Sequence, residues 1–172
     1  MSPVALIYSG SPSASKESLG LVVECLNRIN DLDFEFKIVG ITQDQFKKMY
    51  GNMHLSKRII FCGRVSHECA LNAVRMSDYS IIIRPKTRAN MAGFPTKFVE
   101  AVSVSTPVIT NGTSDLAHYM ENGQNGYLVD LENFGQTLRE ILTCKSKPNV
   151  TTEVFDYRNW IQQFDSFNKL LE

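Results

Sequence analysis

Gly93-Phe94-Pro95-Thr96-Lys97-Phe98-Val99-Glu100 brings together the groups that hold a phosphate and a sugar. A flexible turn opens onto a helix, where unpaired backbone amides and the helix dipole both favour an anion. Thr96 adds a hydroxyl and Lys97 a cation. Glu100 lies one helical turn beyond Lys97, so both project from one side. A carboxylate presents acceptors to the two donors of a vicinal diol. A cation for phosphate and a carboxylate for sugar hydroxyls, on one helix, is the pairing a nucleotide-sugar site needs. Ser105-Thr106-Pro107-Val108-Ile109 follows, an apolar strand with a proline at its start.

These groups need a frame. Val4 to Tyr8 is a short apolar run ending at Ser9-Gly10, the signal of a buried strand. After a Ser/Pro loop, Leu19, Val22, Val23, Leu26 and Ile29 recur at helical spacing. Phe34, Phe36, Ile38 and Val39 predict a second strand closed by Gly40, and Thr42 with Gln45 forms a capping box. Ile59 to Cys62 reads as a third strand, and Ser66 as the cap of a helix carrying Leu71, Val74 and Met76. Tyr79 to Ile83, Val108 to Thr110 and Tyr127 to Val129 read as three more strands. Pro95 suits a first helical turn, with that helix ending near Ser103. Asn133 with Gln136 marks another capped helix start.

Strands alternating with helices predict an α/β domain over residues 1–148, a Rossmann-like doubly wound parallel sheet of about six strands with helices on both faces. Such sheets bind ligands at the carboxyl ends of their strands. Gly10, Gly63 and the basic loop of Arg84, Lys86 and Arg88 all fall there, which favours contact of that loop with an anion. Residues 149–172, with Phe155, Trp160, Ile161, Phe164, Phe167, Leu170 and Leu171, read as a C-terminal amphipathic helix.

A chain of 172 residues with 43% hydrophobic content suits one domain with a sizeable core. Its formal net charge of zero argues against a dedicated nucleic-acid partner. The four cysteines show no metal spacing; Cys25 and Cys62 sit in apolar patterns and read as reduced core residues in a cytoplasmic setting. The N-terminus reads as a strand rather than a signal peptide, and no run approaches the ~20 apolar residues of a membrane span.

Gly-Phe-Pro-Thr-Lys-x-x-Glu-Ala followed by Thr-Pro-Val-Ile resembles the donor-binding domain of the retaining group 1, or family 4, glycosyltransferases. The resemblance runs from Tyr8-Ser9-Gly10 through Ile60 to Glu68 and Ser77-Asp78-Tyr79 to Glu121 to Val129. It implies one half of a GT-B fold, two Rossmann-like domains facing each other across a cleft. The acceptor-binding half is then absent, and the terminal helix crosses towards it. It further implies a nucleotide sugar as donor, transfer to a glycan or lipid-linked acceptor, no metal or cofactor, and a cytoplasmic enzyme peripheral to the inner membrane face.

By the same resemblance, Lys16 and Lys97 stabilise the diphosphate leaving group, supported by Gly10, Ser11, Arg88 and the turn of Gly93, Phe94, Pro95 and Thr96. Glu100 takes the ribose, and Arg64 and Val65 line the nucleobase pocket. Two positions depart from the family. Ser11 stands where an Arg is usual, which removes a bidentate clamp. Ala92 stands where a first Glu contacts the donor sugar, which puts recognition of that sugar in question. A GT-B sugar-nucleotide epimerase and a non-catalytic Rossmann-like interaction module are the alternatives. A carboxylate at the reacting carbon, which the epimerase requires, is missing at Ala92. Gly10-Ser11-Pro12-Ser13 lacks the G-x-G-x-x-G of nicotinamide or flavin domains.

Overall fold

The structure, a computed structural model, describes residues 2–13, 15–144, 146–155 and Arg158. Six strands, β1 (Val4–Ser9), β2 (Phe34–Val39), β3 (Ile59–Gly63), β4 (Tyr79–Ile82), β5 (Val108–Asn111) and β6 (Gly126–Val129), form one parallel sheet in the order β3-β2-β1-β4-β5-β6. The chain winds outward from β1 to β3, returns to lay β4 beside β1, and winds outward again. Parallel crossovers run through connecting helices, and the sequence supplies them in α1 (Leu19–Arg28), α2 (Gln43–Tyr50), α3 (His67–Arg75), α4 (Arg88–Ala92), α5 (Thr96–Ser103) and α6 (Leu116–Tyr119), with α7 (Phe134–Thr143) following β6.

Alternation along the central strands splits the core in two. Leu6 and Tyr8 of β1, with Phe34, Phe36, Tyr79 and Ile81, pack on one face under α1 and α7. Ile7, Val39, Ile82 and Val108 pack on the other under α3, α5 and α6. A strand buried on both faces reads as a continuous apolar run, which is why β1 stands out in the sequence, while β2 alternates Phe34, Phe36 and Ile38 with Glu35 and Lys37. Each fully buried side chain such as Ile7 or Phe98 contributes about 1.5–3 kcal/mol relative to exposure.

Local caps follow the sequence in two places. Thr42 and Gln45 form the reciprocal capping box of α2, and the Ser66 hydroxyl accepts from the Cys69 amide. Elsewhere the structure corrects the reading. Asn133 precedes α7 without a side-chain cap bond, and Pro95 occupies the N-cap of α5 rather than its first turn. Met76 follows α3 and is 74% exposed. Cys62 is exposed because β3 is an edge strand, whereas Cys25 is buried in α1. The loop after β4 contains α4, and α6 has no counterpart in the sequence reading. Near the C-terminus, Val150 joins the second core and Thr152–Phe155 forms a 3-10 turn. The amphipathic helix expected from Trp160 to Leu171 lies outside the described residues. Among those described, no helix is long and apolar enough to cross a membrane.

Candidate functional site

Three strands end on glycine side by side. β1 exits at Gly10, β2 at Gly40 and β3 at Gly63, and the Gly10 amide donates to Val39 while the Gly40 amide donates to Gly63. Gly40 has φ +116°, and a Cβ on it would lie 1.9 Å from the Gly10 carbonyl oxygen. Only glycine lets the two backbones come this close.

Above this floor lies a cleft of about 400 Å³. The β1 exit lines it with Ser9, Gly10 and Ser11, and the β2 exit with Val39 and Gly40. The β3 exit adds Arg64 and Val65, α3 adds His67 and Ala70, and α5 adds Thr96, Lys97 and Glu100. The cleft thus joins the carboxyl ends of three strands to the N-terminal turn of α5, whose Pro95 N-cap contributes no side-chain cap bond. Glu100 is half-buried, and its carboxylate makes no ion pair among the described residues.

Lys97 and Arg64 are the cations of the cleft wall, and Lys97 is the one paired with a buried carboxylate. Its stem crosses Gly10, where a Cβ would meet the Lys97 Cε at 2.2 Å. Its Nζ donates to Glu17 Oε1 at 2.9 Å and sits 5.7 Å from the centre of the Tyr8 ring. Glu17 is 5% exposed and Tyr8 2%. Burial, then the Glu17 charge, push the Tyr8 phenol above the ordinary tyrosine range. The same two causes push neighbouring Tyr50 up to about 12.

Phenols in the unfolded chain ionise near pH 10, so these raised values stabilise the fold fully below ~pH 10. That contribution is lost as pH rises through about 12, the value for folded Tyr50. An alkaline titration should show phenolate absorbance from Tyr8 and Tyr50 appearing together with loss of tertiary structure. Simple ionisation of both near pH 10 in a folded chain would contradict their burial.

The other expected site residues fall around the cleft rather than in its wall. Gly93, Phe94 and Pro95 shape the turn entering α5. Phe94 stands edge-on to Phe98 at 5.9 Å and Tyr119 at 5.3 Å, and Phe155 packs against all three. Lys16 and Arg88 are exposed, and neither lines the cleft. Lys16 meets this region through its carbonyl, which accepts from Asn90 Nδ2 at 3.2 Å.

Arg84 is corrected from a loop cation awaiting an anion to an internal fastener. It is 9% exposed, and its guanidinium donates to Asn90 Oδ1 and the Gly93 carbonyl, each at 2.9 Å. Burial depresses its pKa, and the Glu17 charge opposes that. Asn90 also donates to the Pro85 carbonyl at 2.8 Å, so one side chain ties α4 to the loop before it and to the loop after β1. Asn111 bridges the Arg84 backbone in both directions, at 2.9 and 2.8 Å.

Glu17, Asn90 and His67 are the residues sequence reasoning missed. Glu17 has only its adjacency to Lys16 to mark it. Asn90 had a signal, a small amide inside a loop bounded by Pro85 and Gly93. His67 is a cleft wall residue at the start of α3.

A doubly wound parallel sheet with helices on both faces defines a Rossmann-like α/β class. Within that class, residues 3–144 match the family model for glycosyl transferases group 1, and the chain belongs to that family. No curated protein matches it in sequence. Among solved structures, Anabaena HepE in complex with UDP-glucose superposes with a TM-score of 0.70 at 13% identity, over 97% of this chain and 49% of that one. Sucrose-phosphate synthase from Thermosynechococcus elongatus gives 0.68 at 17% identity, over 99% and 45%. A glycosyltransferase from Rickettsia africae gives 0.67 at 19% identity, over 98% and 49%. The chain spans about half the length of these structures, and at these identities the likeness shows the fold, that of one GT-B half.

Proposed function

We propose that this chain is the donor-binding half of a retaining glycosyltransferase, with its nucleoside diphosphate sugar seated in the cleft over β1 to β3. One observation carries this reading: Lys97, Glu100, Arg64-Val65 and Gly10-Ser11, far apart in sequence, wall a single cleft at the carboxyl ends of the sheet. Lys97 and the first-turn amides of α5 take the diphosphate, where fixed positive charge is worth most as the glycosidic bond breaks. Glu100 takes the ribose diol, and the Arg64-Val65 segment borders the base. The solved complex of HepE with UDP-glucose is the reason to test uridine ligands first. A glycan or lipid-linked acceptor belongs to a partner domain across the cleft. With Ala92 in place of a carboxylate, the donor sugar is held by other groups. The reading assigns the positive field at the diphosphate to Lys97, Arg64 and the first-turn amides of α5, and invokes no metal.

Calorimetric titration with UDP, GDP and ADP tests it. Weak binding of one diphosphate is expected, together with no glycosyl transfer by this chain alone, since closure of two domains positions the reactants. No binding of any of the three at millimolar concentration would overturn the assignment.

Glu100→Gln tests the ribose contact. It should weaken diphosphate binding by about 1–3 kcal/mol, the scale of a hydrogen bond to a charged group. The melting temperature should hardly move, because the carboxylate has no ion-pair partner among the described residues. Unchanged affinity would remove Glu100 from the site.

A further inference from the structure

Glu17 does not line the cleft, yet it touches Lys97, one of the two cations that do, the other being Arg64. The carboxylate is 5% exposed, and Lys97 is its one ion-pair partner among the described residues. Glu17 Oε2 also accepts from the Ser13 amide at 3.3 Å, which pins the carboxylate to the loop after β1. The ammonium stands between Glu17 and the cleft, drawn down across Gly10 and over the Tyr8 ring. Arg84, the other cation that senses Glu17, has its guanidinium committed to Asn90 and the Gly93 carbonyl. An anion entering the cleft therefore meets a lysine whose charge is already matched by a desolvated carboxylate behind it.

We propose that Glu17 is an internal counter-ion that an incoming diphosphate must compete with for Lys97. Glu17 thereby sets both the affinity of the cleft and its selectivity for ligand charge. The inference rests on the nucleotide-site reading above. Two consequences follow from Coulomb's law at short range in a partly dry site. A neutral ligand is indifferent to Glu17. A ligand carrying several charges at Lys97 feels both the attraction of the ammonium and the repulsion of the carboxylate just beyond it.

Glu17→Gln separates this role from a structural one. Gln keeps the shape and one acceptor, enough for the Lys97 ammonium, removes the charge, and gives up the second acceptor that the Ser13 amide uses. Titrating the 172-residue chain with nucleoside, monophosphate and diphosphate of the same base, across the uridine, guanosine and adenosine series, should show a graded effect. Affinity for the diphosphate should rise on the order of tenfold, for the monophosphate by less, and for the nucleoside not at all. A merely structural Glu17 would change all three alike or none.

A second measurement on the wild-type chain needs no variant to fold. The Glu17 side-chain carboxyl resonance should shift when inorganic pyrophosphate is added, as Lys97 turns towards the new anion, and should not shift with nucleoside. If wild type binds diphosphate but Glu17→Gln binds it equally or more weakly, the counter-ion role is overturned and the nucleotide site stands. The counter-ion role is likewise overturned if ligand binds and the Glu17 resonance does not move. If Glu17→Gln alone binds diphosphate, both the site and the counter-ion role are supported. If neither protein binds any of the ligands, both fall together.

Discussion

Lys97→Ala should reduce affinity for a nucleoside diphosphate by roughly ten- to a hundredfold, the equivalent of about 1.5–3 kcal/mol for a lost bond to a charged group. Affinity for the bare nucleoside should stay near wild type. The ligands differ only in the phosphate charge, so the difference isolates what Lys97 does. The substitution also strips Glu17 of its ion-pair partner, leaving a buried carboxylate beneath the cleft. Breaking such a pair by removing one member destabilises a fold by about 3–5 kcal/mol when both are deeply buried, and by less here, where the Lys97 side chain keeps 22% exposure. The melting temperature should therefore fall as well. The double variant Lys97→Ala with Glu17→Gln should recover much of the melting temperature but not wild-type affinity. In an enzyme completed by its partner domain, Lys97→Ala should lower kcat more than it raises KM, because the leaving group gains charge only as the bond breaks. Equal, small effects on diphosphate and nucleoside would make Lys97 an ordinary helix residue.

The second large effect concerns backbone rather than charge. Gly40→Ala should destabilise the chain by about 3 kcal/mol or more, combining a left-handed backbone with overpacking. The overlap is with the Gly10 carbonyl oxygen at 1.9 Å, and backbone cannot swing aside as a side-chain tip can. At roughly 2–4 °C per kcal/mol for a chain of this size, the midpoint should drop by about 10 °C. Diphosphate binding should fall with it, since relieving the overlap pushes the β1 exit and Gly10 out of place under Lys97. Gly51, with φ +86° but nothing within 4 Å of its Cβ position, serves as a control. Gly51→Ala carries the conformational cost alone and should lose much less. A Gly40→Ala chain as stable as the Gly51→Ala chain would contradict the close approach of β1 and β2.

What the sequence made legible follows the range of the interactions involved. β1 is a continuous apolar run and β2 alternates Phe34, Phe36 and Ile38 with Glu35 and Lys37, so both patterns are visible within six residues each. The Thr42–Gln45 box is also local, since both of its bonds close within three residues. The turn into α5 and the side shared by Lys97 and Glu100 are likewise properties of one short segment. Pairings across elements were not legible. Nothing in the spacing of Glu17 and Lys97 says that they meet, and the basic run Arg84-Pro85-Lys86 does not reveal that Arg84 points inward to Asn90 and Gly93. Cys62 has the same apolar neighbours as a core cysteine. Only the position of β3 at the sheet edge turns it outward.

The aromatic group of Phe94, Phe98, Tyr119 and Phe155 bears on when the site comes into being as the chain is made. Phe155 stacks on Tyr119 at 5.5 Å and stands edge-on to Phe98 at 5.8 Å, against the turn that leads into the cleft helix. A ribosome releases the chain from its N-terminus at about 5–20 residues per second. Every strand of the sheet emerges before Phe155 does. The turn around Phe94 thus lacks its outer wall until the Thr152–Phe155 segment docks, after the sheet is complete. A nascent chain halted before residue 152 would carry the whole sheet and an uncovered turn at the start of α5.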